Sequence, residues 1–368
     1  MSNLSFSKKD DLKRFLKSEK FKKTLVISGV KSFNSSGANK LFEDILDSKK
    51  VEFYFKKFAA PNHTELQDII TFIKNYSPEL IIAVGGGSVL DYAKIANTLT
   101  ESINLKEELI NSTYKAKKYT KLVAIPTTAG SGAEVTSNAV IYVDKIKYSV
   151  EGEQLRPDYF FLIPELVLSG SNKIKSSAGF DAIAQAIESL ISRKSNEKSK
   201  VFAEKSLKLS LNYYLDHLHK PNYENTSAMC LAANLSGEAI SISKTTAPHA
   251  VSYPFTALYN VSHGHAVSLT LNKFLKFNYK NLISAKCNFD LNERFKILFD
   301  LTKSSNFKAF DQYLEKIMNS AKLENNFKRL GIDINKNYSK IISSVNKKRL
   351  ANNPVDLNLE DLKKIIQS

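Results

Sequence analysis

Apolar runs alternate with amphipathic stretches through the first half of the chain, and helical spacing alone takes over in the second. Residues 24–28 (TLVIS), 51–55 (VEFYF), 80–84 (LIIAV) and 122–125 (LVAI) are short and rich in β-branched or aromatic residues, as strands are. Between them, residues 36–46, 65–75 and 88–99 carry apolar positions at helical spacing. Residues 139–142 and 148–150 read as an antiparallel pair, and 160–163, before Pro164, as the last strand. Strand–helix alternation of this kind predicts a mostly parallel sheet covered on both faces. Beyond about residue 176 the segments 178–191, 196–215, 225–241 and 265–277 predict helices without β alternation. The fold class expected is therefore an α/β domain over residues 1–176 followed by an all-helical domain over 177–368. No low-complexity linker separates them, so the ligand site is expected in a cleft between the two.

Composition narrows the class. With 43% hydrophobic residues the 368-residue chain can bury two cores and is not disordered. No apolar run approaches the ~20 residues that span a bilayer, and the first ten residues lack a signal-peptide core. Cys230 and Cys287 form no disulfide framework and no metal-ligand spacing. A cytoplasmic protein with no membrane partner is the expectation. The net charge of +16 comes from dispersed residues, mostly Lys, without the aromatic or zinc-finger patterns of nucleic-acid readers. No nucleic-acid partner is expected; the positive field would draw in anionic small molecules.

Two turns carry candidate chemistry. Gly85-Gly86-Gly87-Ser88 joins a buried strand to a helix, so backbone N–H groups and the helix dipole can meet a phosphate there. Pro126-Thr127-Thr128-Ala129-Gly130-Ser131-Gly132 follows the next strand, with hydroxyls suited to a diphosphate or ribose. Asp181 and Gln185, four apart, share a helix face. Taken alone, His249 reads as a helix cap and His263-Gly264-His265 as a polar loop.

GGGSVLDYAK, PTTAGSGAEVT, the segment AGFDAIAQAIE, residues 249–264 and Asn352-Asn353-Pro354 appear in the order of the iron-containing (group III) alcohol dehydrogenase family. The chain resembles that family along nearly its whole length. The resemblance implies a nicotinamide-dependent oxidoreductase that interconverts a small aldehyde and a primary alcohol. It implies one divalent metal ion, Fe²⁺ or Zn²⁺, on Asp181, Gln185, His249 and His263. Gln185 stands where the family usually has His, and an amide is the weaker ligand. Tyr253 joins Asp181, His249 and His263 as a catalytic-site residue, where the family often places a His near the nicotinamide; His265 is expected to stay outside the ligand set. The resemblance further implies cofactor contacts from Ser28, Gly86, Gly87, Ser88, Asp91, Thr127, Thr128, Ser131, Asn138, Lys147 and Leu166. An Asp found at the end of the first strand in many NAD-preferring members is missing from Ser28-Gly29, and Lys31 follows, so NADPH is expected to serve at least as well as NADH.

Within the family, DAIAQAIES together with SHGHAVSLTL is most similar to the phosphonoacetaldehyde reductase branch. A short anionic aldehyde is the substrate this implies, with Lys244 as the candidate cation, and a homodimer is compatible with it. Two rival readings are a generic short-chain alcohol dehydrogenase and a lyase resembling dehydroquinate synthase. A third, prompted by Gln185, is a metal-free protein.

Overall fold

A computed structural model describes residues 9–18, 21–43, 50–144 and 146–367. The strands are β1 (Lys23–Gly29), β2 (Lys50–Lys56), β3 (Leu80–Gly85), β4 (Lys121–Pro126), β5 (Asn138–Val143), β6 (Ile146–Glu151) and β7 (Tyr159–Phe160). Helices of the first half are α1 (Lys9–Ser18), α2 (Val30–Ser35), α3 (Ala38–Glu43), α4 (His63–Tyr76), α5 (Gly87–Thr98), α6 (Leu105–Asn111) and α7 (Pro164–Leu168). The second half contributes α8 (Asn172–Ile191), α9 (Glu197–His219), α10 (Tyr223–Ser243), α11 (Ala247–Tyr259) and α12 (His263–Lys280). It ends with α13 (Leu291–Thr302), α14 (Phe307–Ser320), α15 (Ile334–Ser343), α16 (Lys347–Leu350) and α17 (Leu359–Gln367).

Contacts divide the chain into two compact units. One comprises Met1–Ser171 with Asn222–Cys230, the other Asn172–Pro221 with Leu231–Ser368. The division expected after residue 176 thus falls at Ser171, and a segment expected in the helical domain groups with the first unit.

In the first unit five parallel strands are ordered β2-β1-β3-β4-β7, and β5 pairs with β6 as a separate antiparallel hairpin. Successive side chains of the central strands point to opposite faces. Leu25, Ile27, Ile81, Ala83 and Leu122 enter one apolar core, while Val26, Ile82, Val84, Val123 and Ile125 enter the other. Burial on both faces is why these strands lack polar alternation. The single helix expected over 36–46 is broken: Gly37, at φ +80°, separates α2 from α3, and residues 44–46 lie outside the described residues. The last strand is shorter than expected, because Pro164 opens α7.

The second unit is helical, with α8 packed against α9 and α12, and α12 against α11. From Lys175 to Ile191 α8 is buried on nearly every side, Asp181, Gln185 and Glu188 included. A helix so enclosed must pair its carboxylates or bind a cation with them. Among the described residues no helix is long and apolar enough to cross a membrane.

Candidate active site

In the first unit the strand order reverses at β1, so the crevice beyond the carboxyl ends of β1 and β3 is the position where such sheets bind ligands. The register of β3 on β4 pairs Gly85 with Pro126, which sets the two glycine-rich turns side by side. Thr127 N–H donates to Gly85 O at 3.0 Å. A Cβ on Gly86 would meet the Thr128 side chain at 3.5 Å, and one on Gly87 would meet Ser131 Oγ at 3.0 Å. The missing side chains therefore leave a cradle roofed by hydroxyls at the N-terminus of α5, with Ser88 following, a form that fits a diphosphate. Lys94, fully buried, holds the second turn by donating to Ala133 O, Thr136 Oγ1 and Asn138 O.

Two of the expected cofactor residues have buried side chains. Ser28 is buried and its hydroxyl donates to Val84 O at 2.6 Å, so its side chain is spent inside the sheet. Gly29 is the strand-end position: a Cβ there would stand 3.1 Å from Ser32 Oγ, which would have to give by a few tenths of an ångström, and 3.6 Å from Lys56 Cε. Leu166 packs in the core with Val84 and Ile163 and offers no side-chain surface.

Asp91, half-buried on α5, lies near Lys94, the Val140 N–H and Lys147 on β6. Burial pushes its carboxyl up to about 6 although these three partners favour the anion. The penalty on the ionised form is absent below the unfolded value near 4 and complete above about 6. Asp91→Asn is accordingly expected to gain about 1–3 kcal/mol over the wild type at about pH 7.5 and nothing at about pH 4. Melting of the two proteins across this range checks it; a gain that does not depend on pH would reject it.

In the second unit Asp181 from α8, His249 from α11 and His263 from α12 each bring a ligand atom within 4.8 Å of the others. His249 Nε2 lies 3.3 Å from Asp181 Oδ1, and His263 Nε2 lies 3.9 Å from it. The two imidazoles meet edge to face at 5.3 Å. On its other side His249 Nδ1 is hydrogen-bonded to Glu188 Oε1. Glu188 Oε2 accepts from the Thr246 N–H and hydroxyl at 2.7 and 2.8 Å, which anchors the start of α11 to α8. With Nδ1 donating to Glu188, loss of the second ring proton would leave the lone pair of the buried Nε2 facing Asp181. Burial pulls the His249 pKa down, but Glu188 and Asp181 more than reverse this and hold it up to about 9. Carboxylates that favour a proton there favour a dication too. The donor set, one carboxylate and two imidazoles, fits a transition metal with open positions.

Gln185 is hydrogen-bonded at both ends of its amide. Its Nε2 donates to Asp181 Oδ2 at 3.1 Å, and its Oε1 accepts from Ser236 Oγ at 3.0 Å. It orients the carboxylate. His265 Nε2 hydrogen-bonds the Glu324 carbonyl at 2.7 Å, outside the cluster. Tyr253, buried, sits with its ring 6.1 Å from His263 and close enough to Arg349 to feel its charge. Burial raises its pKa above the usual 10, so it stays protonated. Lys244 closes α10 in a left-handed backbone conformation. Sequence reasoning missed Glu188, whose signal was its place seven residues after Asp181 on the same face of α8. It also missed Gly264: a Cβ there would fall 2.0 Å from Ser177 O and 2.8 Å from Asp181 Cβ, so only glycine lets α12 bring His263 this close to α8.

Residues 7–164 match the family model described as iron-containing alcohol dehydrogenase, and residues 175–368 match that for the C-terminal region of the Fe-containing alcohol dehydrogenase family. The chain is 29% identical over 282 residues to a 4-hydroxybutyrate dehydrogenase of Clostridium kluyveri, covering 75% of each. It is 31% identical over 212 residues to a phosphonoacetaldehyde reductase of Streptomyces viridochromogenes, covering 55% of this chain and 53% of that one. Its fold is similar to the crystal structure of a sulfoacetaldehyde reductase from Bifidobacterium kashiwanohense in complex with NAD⁺. That match has a TM-score of 0.86 at 23% identity and covers 98% of this chain and 94% of the other.

Proposed function

The chain belongs to the iron-containing alcohol dehydrogenase family, and on that premise we propose that it reduces a short aldehyde bearing an oxyanion, phosphonoacetaldehyde first, to the matching primary alcohol. The observation that carries this reading is the convergence of Asp181, His249 and His263 within 4.8 Å. Two relatives support the anionic substrate: by name one acts on 4-hydroxybutyrate and the other on phosphonoacetaldehyde. When bound, the metal ion would polarise the carbonyl oxygen as a Lewis acid and the nicotinamide would supply the hydride.

The chain's own residues bind and orient. Gly86, Gly87 and Ser88 hold the diphosphate through backbone N–H groups, and Thr127, Thr128 and Ser131 hold the ribose–nicotinamide end. Asn138 lines the substrate side, and Asp91 with Lys147 fixes the cofactor turn. Asp181, His249 and His263 hold the metal; Glu188 and Gln185 aim two of them. Tyr253 shapes the substrate pocket.

NADPH is used at least as well as NADH, since no carboxylate ends β1 and Lys31 is exposed just beyond it. Gly29→Asp is expected to shift the NADH-to-NADPH ratio of kcat/KM towards NADH by ~10-fold, about 1.4 kcal/mol. A wild type that strongly prefers NADH would reject the cofactor claim.

The function is tested by following reduced cofactor across a panel of aldehydes in metal-loaded protein. A higher kcat/KM for phosphonoacetaldehyde than for propanal supports the reading, and equal efficiency leaves a generic aldehyde reductase.

A further inference from the structure

We propose that Arg349 recognises the anionic group of the substrate and so makes the site selective for aldehydes that carry an oxyanion; this rests on the function proposed above. Arg349 lies in the run Lys347-Lys348-Arg349 on α16, where both lysines are exposed and Arg349 is half-buried. Its Nη1 donates to Thr245 Oγ1 at 2.5 Å. The next residue, Thr246, bonds Glu188, which in turn bonds His249. Tyr253, whose ring borders His263, also feels the guanidinium charge. The cation therefore stands beside the residues that support the metal cluster.

Its backbone is fixed on both sides. Asn346 Oδ1 accepts from the Arg349 N–H at 3.0 Å. The Asn346 N–H donates at 3.4 Å to Ala250 O, the carbonyl that Pro254 inside α11 cannot serve. Beyond α16, Asn352 Nδ2 donates to Ser243 O and Thr245 O at 2.8 and 2.9 Å. Such anchoring places the guanidinium but does not neutralise it. Its side-chain hydrogen bond goes to a hydroxyl, and among the described residues it forms no ion pair. Partly desolvating a charge without a counter-ion is costly, and a bound oxyanion would remove that cost. The planar fork of N–H donors suits a phosphonate, sulfonate or carboxylate, which can accept two bonds at once.

The test compares wild type, Arg349→Ala and Arg349→Lys as metal-loaded enzymes with phosphonoacetaldehyde and propanal. Calorimetric binding of 2-hydroxyethylphosphonate and the metal content are measured on the same samples. Arg349→Ala is expected to lower the anionic-to-neutral ratio of kcat/KM by ~100-fold, mainly through KM, and to weaken the phosphonate to a similar degree. Arg349→Lys, which keeps the charge but loses the fork, is expected to lower the ratio by ~10-fold. Guanidinium ion added to Arg349→Ala should recover part of the lost ratio. Equal losses on both aldehydes, or an unchanged ratio in either variant, would overturn the proposal. Should Arg349→Ala not fold, Arg349→Lys decides it. A wild type indifferent to the anionic group would instead overturn the proposed function.

Discussion

Alanine at His249 is expected to abolish stoichiometric metal binding and to lower kcat/KM for aldehyde reduction by ~10³-fold or more. The substitution removes one of three converging ligands and leaves Glu188, buried and bonded to Thr246, facing the space the ring vacated. Two remaining protein ligands do not make a closed site for a transition metal. Glu188→Gln is the graded counterpart. It keeps the shape beside His249 but removes the charge that fixes the proton on Nδ1, so metal affinity should fall ~10–100-fold and activity should return at high metal. Metal per chain by mass spectrometry, with titration of Fe²⁺ or Zn²⁺ against turnover, reads both. Full activity in metal-stripped wild type would reject the Lewis-acid role and leave the cluster as a buried polar core.

Gly264→Ala is expected to be nearly as damaging, although it touches no ligand atom. The new methyl would sit 2.0 Å from the Ser177 carbonyl oxygen, which is backbone and cannot swing aside. The first turn of α12 would have to lift from α8 and carry His263 away from Asp181. Overpacking of this kind costs about 3 kcal/mol or more when the obstacle is main chain. Metal binding should be lost together with stability. Retention of wild-type melting and metal content in this variant would show that α12 approaches α8 less closely than described.

The strands and the two glycine-rich turns were legible because a parallel sheet buried on both faces needs continuous apolar runs, and its turns need residues without side chains. The metal cluster was legible only through resemblance. Asp181 lies 68 residues before His249, on a separate helix, and nothing local marks it as the partner of His249 and His263. The hydroxyl of Ser28 looks free at a strand end in sequence, whereas the parallel register gives it the Val84 carbonyl. The sequence likewise does not show that the Gln185 amide oxygen meets Ser236. Helix α11 was hidden by Pro254, ordinarily a breaker; the carbonyl it orphans is served by Asn346 from a distant turn. Local sequence does not reveal which of the three adjacent cations Lys347, Lys348 and Arg349 turns inward.

Contacts group Asn222–Cys230 with a unit whose other residues all precede Asn172. During synthesis the nascent first unit is therefore incomplete until residue 230 has emerged, by which time α8 and α9 have already been made. A fragment cut at Ser171 would display the surface that this segment covers. Dissecting the enzyme into working halves calls for grafting 222–230 onto the shorter piece, because a single cut at Ser171 leaves that segment with the wrong half.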